Sequence, residues 1–248
     1  MITFKGPAEF ARMRRAGRVV AEVLTKVTEA ARPGVSLLTL DRLAAGIIAE
    51  RGCLPSFLNY HGYPAHICLS LNETIVHGIP DGRALREGDV LAVDVGAIFE
   101  GWHGDAATTF GIGEISAEAR RLLEVTERGL WAGIEQCRDG RRLGDVGHAI
   151  SSVAAAAGFG VVREYTGHGI GRQMHEEPQV LNYGEPGKGL RLKRGMAVCI
   201  EPMFNLGGHQ TKVLEDGWTV VTADGSLSAH FEHTVAITHR GPEVLTLP

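Results

Sequence analysis

The chain has 248 residues, of which 44% are hydrophobic and 22% are charged. That composition is ordinary for a globular protein, and a chain of this length can bury a large core without disulfide or metal staples. Its 25 Lys and Arg against 29 Asp and Glu give a net charge of −4, which argues against broad binding to nucleic acid or to anionic membranes.

The cysteines and the first residues of the chain favour a cytoplasmic location. Cys53, Cys68, Cys137 and Cys199 form no C-x-x-C pair, which favours reduced thiols. The first residues lack a basic segment followed by an apolar stretch, and no apolar run approaches about 18 residues. We therefore expect a cytoplasmic protein that has one domain, residues 1–248, and no membrane segment.

Hydrophobic periodicity predicts four helices. In the first, apolar residues recur every three or four positions, and Arg32-Pro33-Gly34 ends it. The predicted helices span residues 7–31, 39–50, 116–137 and 143–157. Runs rich in β-branched and aromatic residues predict strands. These span residues 67–71, 90–99, 161–165, 196–200, 218–222 and 231–238.

The two halves of the chain resemble each other. The turn glycines Gly34 and Gly52 flank the second predicted helix, and Gly140 and Gly158 flank the fourth, at an offset of 106 residues. Residues 88–94 match 195–201 at an offset of 107, each a glycine, five mostly apolar residues and a carboxylate. Coincidence between short patterns is the alternative, but two matches at nearly one offset favour an internal duplication.

Four acidic residues lie in or directly after apolar strands. Asp94 and Glu201 follow apolar runs in the two halves, and Glu232 lies inside another. A hairpin that turns near residues 100–101 would return Asp105 alongside Asp94. A single buried carboxylate is usually hydrogen-bonded or salt-bridged, whereas two symmetric ones suggest a shared cation. Alternation places Glu232 on the face of His230 and Thr234, and leaves His233 on the other face with a structural role.

A glycine-rich segment carries His168 and His175. Their separation of seven residues excludes the helical i, i+4 pair of a zinc protease. Gly167, Gly169 and Gly171 suggest extended or looping backbone with close access to a ligand. One such histidine is more often structural, but two in a chain with these carboxylates favour a site.

Charge arithmetic points to two divalent ions. The four carboxylates carry −4, which two such ions balance, and the set is rich in hard oxygen donors, unlike structural zinc sites with their cysteines. Bridging carboxylates can hold two ions about 3.5–4 Å apart and acidify a water for attack on an amide carbonyl. A nearby imidazole can stabilise the developing oxyanion.

The order Asp94, Asp105, His168, Glu201, Glu232 is similar to the five-ligand signature of the pita-bread metallopeptidases. The surrounding motifs resemble the type I methionine aminopeptidases. They are YHGYP at 60–64, NETIVHGIP at 72–80, TGHGIG at 166–171 and DGWT at 216–219. No N-terminal extension with zinc-binding cysteines precedes them, so the short bacterial form is expected.

This resemblance implies an α+β fold, with a pseudo-twofold repeat of helices outside a curved antiparallel β-sheet. It also implies removal of the initiator methionine, preferentially before a small residue. The substrate would be the N-terminal peptide of nascent chains, and the enzyme would act on it near the ribosome. The enzyme is expected to be a monomer with two divalent ions (cobalt, manganese or iron, with zinc and nickel as further options).

The resemblance also implies a role for each site residue. Asp94, Asp105, His168, Glu201 and Glu232 would hold the metal, with Asp105 and Glu232 bridging. Glu201 would also carry the proton from the water to the leaving amine. His77 and His175 would contact the scissile amide. The methionine pocket would be lined by Tyr60, Tyr63, Cys68 and Trp218.

Three positions depart from the family pattern. His230 replaces an expected glutamine and adds a titratable group beside Glu232, Met174 replaces phenylalanine, and Phe57 stands where a small cysteine is common. These changes affect the expected pocket shape and pH dependence. The alternatives are a proline-specific peptidase of the same fold and, with less support, a non-catalytic peptide-binding module.

Overall fold

Four α-helices form in residues 2–248, the part of the chain that the computed structural model describes. They are α1 Pro7–Ala30, α2 Leu37–Glu50, α3 Ala117–Glu135 and α4 Leu143–Ala157. Helix α2 begins two residues before the predicted start, because the Ser36 side chain caps it by accepting a hydrogen bond from Thr39 N. Ser116 caps α3 in the same way through Ala119 N.

The strands are short except along one hairpin. In chain order they are β1 Leu54–Pro55, β2 Cys68–Leu71, β3 Thr74–Val76, β4 Val90–Phe99, β5 Trp102–Gly111, β6 Gly160–Val161, β7 Gly167–Gly169, β8 Glu176–Val180, β9 Ala197–Ile200, β10 Met203–Asn205, β11 Thr211–Val213, β12 Val220–Thr222, β13 Ser228–His230, β14 Glu232–Thr238 and β15 Gly241–Val244.

One curved antiparallel sheet dominates the molecule. Its strand order is β1-β4-β5-β14-β9-β7-β8, with β2 paired to β4 and β15 paired to β14. Two three-stranded sheets, β13-β10-β6 and β11-β12-β3, extend from it. The four helices pack outside the main sheet, so the predicted α+β fold class is confirmed.

The internal duplication is visible in backbone hydrogen bonds. Gly34 N donates to Leu85 O at 2.8 Å, and its counterpart Gly140 N donates to Leu192 O at 2.9 Å. Isolated bridges repeat the relationship, since Ser36 pairs with Ala84 and Arg142 with Arg191. Each half also buries its own apolar cluster, one under α1 and α2 and the other under α3 and α4. The two halves therefore fold in the same way.

Helix α1 lies unusually close to the sheet at Gly17. A side chain at Gly17 would overlap the backbone oxygen of Leu245, and a Cβ on Gly104 of β5 would lie 2.8 Å from Gly17 N. Both positions accept only hydrogen as a side chain without movement of the backbone. This contact fixes how α1 sits on the hairpin of β4 and β5.

Two strand predictions were too long. The predicted strand at 161–165 is wrong beyond Val161, since only β6 is paired there. The predicted strand at 218–222 begins at Val220 instead. Asp216 accepts hydrogen bonds from Trp218 N and Thr219 N at 2.8 Å each, and this turn withdraws the two residues from the strand.

Candidate active site

All eleven predicted site residues line one cavity of about 410 Å³. They are Asp94, Asp105, His168, Glu201, Glu232, His77, His175, Tyr60, Tyr63, Cys68 and Trp218. Further lining residues are Phe57, His61, Val76, Tyr165, Thr166, Met174 and His230.

The hairpin of β4 and β5 brings Asp94 and Asp105 together. Its turn lies at Glu100 and Gly101, the position that the sequence spacing predicts. Both residues have a positive φ. In the register, Asp94 faces Ala107 and Gly96 faces Asp105. The two carboxylates are therefore diagonal neighbours on one face of the hairpin.

The second half of the chain supplies Glu201 and Glu232. Glu201 directly follows β9, and Glu232 begins β14, which pairs with β9 on one side and with β5 on the other. Ala107 of β5 pairs with Glu232 of β14 on one side and with Asp94 of β4 on the other. One row across three strands thus carries Asp94 and Glu232 to the same side of the sheet.

His168 completes this cluster from β7. Its Nδ1 donates to the carbonyl oxygen of Gly169 at 2.9 Å, which leaves Nε2 with a lone pair. Nε2 lies 3.5 Å from Glu201 Oε1 and 3.8 Å from Asp105 Oδ2. Burial lowers the pKa of His168 to about 3, so the ring is neutral near pH 7 and able to act as a ligand.

The glycines around His168 serve strand packing. A side chain on Gly167 would meet the backbone oxygen of Cys199, and one on Gly169 would meet that of Glu177. The predicted extended backbone is confirmed for β7, and Gly167 and Gly169 lie close to the backbone of neighbouring strands. Because β7 lies close to its neighbouring strands at these glycines, His168 lies beside the carboxylates.

The carboxylates lack the partners that buried acids need. Asp94 Oδ1, Asp105 Oδ1 and Glu232 Oε1 are buried and accept no hydrogen bond from any residue in 2–248. Burial raises the pKa of Asp94 to about 7 and drives the pKa values of Asp105 and Glu232 well above the ordinary range. A buried acid without donors is neutralised either by a proton or by a cation, and several such acids that converge on one cavity with a histidine favour cations. The donor set therefore fits hard divalent metal ions.

Cys199 also approaches this cluster but does not suit a ligand role. One ligand atom each from Asp105, His168, Cys199 and Glu232 lies within 4.8 Å of the others. Burial and the neighbouring acids raise the pKa of the Cys199 thiol well above its usual value. Cys199 Sγ lies within hydrogen-bonding distance of Thr234 Oγ1, at 3.6 Å, whereas Asp105 and Glu232 each have an oxygen without a partner among residues 2–248. The oxygen and imidazole donors are therefore the better ligands for hard divalent ions.

His77 and His175 also line the cavity. His77 has a φ of 60°, a conformation that costs energy in any residue except glycine and that is common at functional sites. Its ring centroid lies 6.1 Å from that of Trp218. The ring centroid of His175 lies 4.2 Å from that of His168, and its Nδ1 lies 2.7 Å from the hydroxyl of Tyr60.

An apolar pocket adjoins the carboxylates. Its buried residues are Phe57, Tyr63, Ala65, Cys68 and Met174, with Tyr60, Ile79 and Trp218 packed around them. Met174 and Phe57, two of the departures from the expected pattern, are thus part of this wall. The pocket suits an apolar side chain.

Some cavity residues were missed from the sequence. His61, Val76, Tyr165 and Thr166 line the cavity without having been assigned a role. Thr166 belongs to the TGHGIG motif, so its position offered a signal, whereas Tyr165 was assigned to a strand. His233 faces away, with Nδ1 2.8 Å from Thr246 Oγ1, in agreement with its predicted structural role.

No helix in residues 2–248 combines the length and the apolar character that crossing a membrane requires.

The model of metallopeptidase family M24 matches residues 11–239. A methionine aminopeptidase of Clostridium acetobutylicum is 51% identical over 248 residues, which cover 100% of this chain and 99% of that protein. The crystal structure of a methionine aminopeptidase from Thermotoga maritima has a TM-score of 0.98 and 44% identity, with 100% of each chain covered. The similarity to these two methionine aminopeptidases extends over the whole chain.

A more distant solved structure, a prolidase from Pyrococcus furiosus, has a TM-score of 0.78 at 18% identity. The match covers 99% of this chain and 65% of the prolidase. At that identity the likeness shows the fold alone. The pita-bread architecture expected from the sequence is therefore shared with both kinds of peptidase.

Proposed function

The chain belongs to metallopeptidase family M24, and from this premise we propose that it hydrolyses the bond after an N-terminal methionine. Its substrates would be nascent proteins and peptides, preferentially those with a small second residue. The observation that carries the proposal is one cavity in which four carboxylates and an imidazole adjoin an apolar pocket. The full-length similarity to methionine aminopeptidases supports the same function.

Two divalent ions would occupy the carboxylate cluster. Asp94, Asp105, His168, Glu201 and Glu232 would hold them. The neutral His168 ring and the unpaired carboxylate oxygens support this assignment. When bound, the ions would acidify a water molecule and polarise the carbonyl of the scissile bond.

The proton transfers would fall to Glu201. Its carboxyl borders the cluster, and burial with the charges of Asp105 and Asp94 raises its pKa well above the usual value. A carboxylate of raised basicity can accept a proton from the attacking water and deliver it to the leaving amine. His77 and His175 would bind the scissile amide and its oxygen.

Specificity would come from the apolar pocket. Tyr63, Cys68 and Trp218 would surround the methionine side chain, with Tyr60 at the rim. Phe57 and Met174 belong to the same wall, and the bulk of Phe57 would limit the size of the side chain that the pocket accepts. The free amino group of the substrate would bind one of the ions, so that only the first residue is removed.

The setting of the reaction follows from the proposed task. The enzyme would act on nascent chains in the cytoplasm, near the ribosome. It would be a monomer, and its residues 1–248 would form one catalytic domain. The single main sheet, shared by both halves, supports the one-domain assignment. Cobalt, manganese and iron suit the donor set, with zinc and nickel as further options.

Peptide cleavage by metal-stripped protein tests this function. After manganese, iron or cobalt is restored separately, we expect release of methionine from Met-Ala-Ser and no cleavage of Ala-Pro peptides. Cleavage of Ala-Pro peptides alone would replace the proposal with a proline-specific peptidase. Tight binding of Met-Ala-Ser without turnover with any ion would favour a peptide-binding module.

A further inference from the structure

His230 is buried at the edge of the carboxylate cluster with an unused nitrogen. The residue is 2% exposed, and its Nε2 has no hydrogen-bond partner among residues 2–248. Nε2 lies 3.8 Å from Glu201 Oε2 and 3.8 Å from Glu232 Oε2. Both distances exceed the hydrogen-bond range, so neither carboxylate satisfies this nitrogen.

The backbone of His230 is held in place from two sides. His230 N donates to Thr109 Oγ1 at 3.0 Å, and Thr109 Oγ1 donates to His230 O at 2.5 Å. Strand β13 pairs with β10, where His230 faces Met203. The backbone of His230 is therefore fixed, and its imidazole ring faces Glu201 and Glu232 with Nε2 unpaired within the described part of the chain.

The surroundings of His230 have the geometry of a cation site. An imidazole ring with an unused nitrogen presents the lone pair that metal ions bind. One ligand atom each from Glu201, His230 and Glu232 lies within 4.8 Å of the others, a spacing that suits donors to one cation.

We propose that His230 Nε2 is a metal ligand, joining Glu201 and Glu232 in binding one of the divalent ions. The proposal rests on the proposed metallopeptidase function and adds a sixth ligand to the five predicted from the sequence. The centre then has two imidazole donors, His168 and His230. Nitrogen donors favour cobalt and zinc over manganese, so the extra imidazole shifts selectivity towards the former ions.

Metal titration of the full-length protein tests the ligand role. We expect His230→Gln to weaken Co²⁺ binding at least about tenfold, measured by calorimetry on chelator-stripped protein, with a smaller loss for Mn²⁺. His233→Gln is the matched control, because it makes the same change three residues away on the face that contacts Thr246. It should leave both affinities unchanged. Equal Co²⁺ affinity in His230→Gln and wild type would overturn the proposal.

Nitrogen NMR of the Zn²⁺-loaded protein counts the imidazole ligands directly. Two histidines should show a metal-bound nitrogen, and one of these signals should vanish in His230→Gln and persist in His233→Gln. A single metal-bound histidine in the wild type would refute the role of His230. Absence of peptide cleavage would instead refute the proposed function and leave this count unchanged, so the two proposals fail separately.

Discussion

The hydroxyl oxygen of Tyr60 lies 2.7 Å from Nδ1 of His175, across a stacked pair of rings whose centroids are 5.3 Å apart. Burial raises the pKa of Tyr60, so its hydroxyl stays protonated and can donate to Nδ1. The ring proton of His175 then lies on Nε2, where it can be donated to a substrate oxygen. Tyr60 is thus a positioning residue for His175 as well as part of the pocket rim.

Tyr60→Phe should separate the two roles. The ring remains to stack on His175, but the hydrogen bond that orients the imidazole is lost. We expect kcat on Met-Ala-Ser to fall by roughly tenfold, with little change in KM. A tenfold fall corresponds to the free energy of about one lost hydrogen bond. Tyr183→Phe is the control, since it removes a hydroxyl outside the cavity. A change confined to KM would show that Tyr60 serves only the pocket.

Asp94→Asn should abolish turnover while the fold is retained. The substitution keeps the side-chain volume and removes one negative charge from the donor set, which weakens metal binding. Steady-state cleavage of Met-Ala-Ser at saturating manganese measures the loss, and far-ultraviolet circular dichroism checks the fold. Wild-type rates in this variant would contradict the ligand assignment of Asp94.

The same variant should change how stability depends on pH in chelator-treated protein. The pKa of Asp94 is raised to about 7 in the folded state, against 3.8 as its ordinary value. Between these values the folded carboxyl keeps a proton that the unfolded chain has released, so its contribution to stability falls as pH rises. The amide introduced by Asp94→Asn does not titrate, so the variant lacks this penalty.

The stability advantage of Asp94→Asn over the wild type should therefore grow from about pH 4 to about pH 7 and then level off. Comparing the two proteins at each pH cancels the titration of the buried histidines, which acts in the opposite direction. Melting temperatures in the presence of chelator provide the measurement. A difference that is constant across this range would show that Asp94 keeps an ordinary pKa.

Phe57→Cys should widen the apolar pocket. The Phe57 ring packs edge-on at 6.5 Å from Tyr63, and its loss leaves space beside Met174. We expect a higher KM for Met-Ala-Ser and an increased relative rate on Phe-Ala-Ser, because hydrophobic contact is lost and volume is gained. The ratio of kcat/KM for the two peptides is the measurement. An unchanged ratio would place Phe57 outside the specificity pocket.

Gly17→Ala should destabilise the protein by about 1–3 kcal/mol, because the new methyl group overlaps the backbone of Leu245. Gly46→Ala in α2 is the matched control, since a side chain there meets no atom within 4 Å. That change should stabilise the protein by about 0.5–1 kcal/mol through helix propensity. Urea unfolding measures both. Equal effects would mean that the contact of α1 with Leu245 is not tight.

Much of the architecture was readable from the chain because it depends on local patterns. Apolar periodicity defined the helices to within a few residues, and the turn at residues 100–101 predicted the hairpin that carries Asp94 and Asp105. The offset between Gly34 and Gly140 predicted the duplication that the backbone hydrogen bonds confirm. The family resemblance indicated which carboxylates and histidines belong to the site.

The remaining features depend on contacts between distant segments. Tyr60 meets His175, and His230 meets Glu201, only because strand register and loop packing bring them together. The same holds for the close approach of Gly167 to the backbone of Cys199. Residue type and periodicity report local backbone preference, whereas the orientation of a buried nitrogen is set by the strands around it.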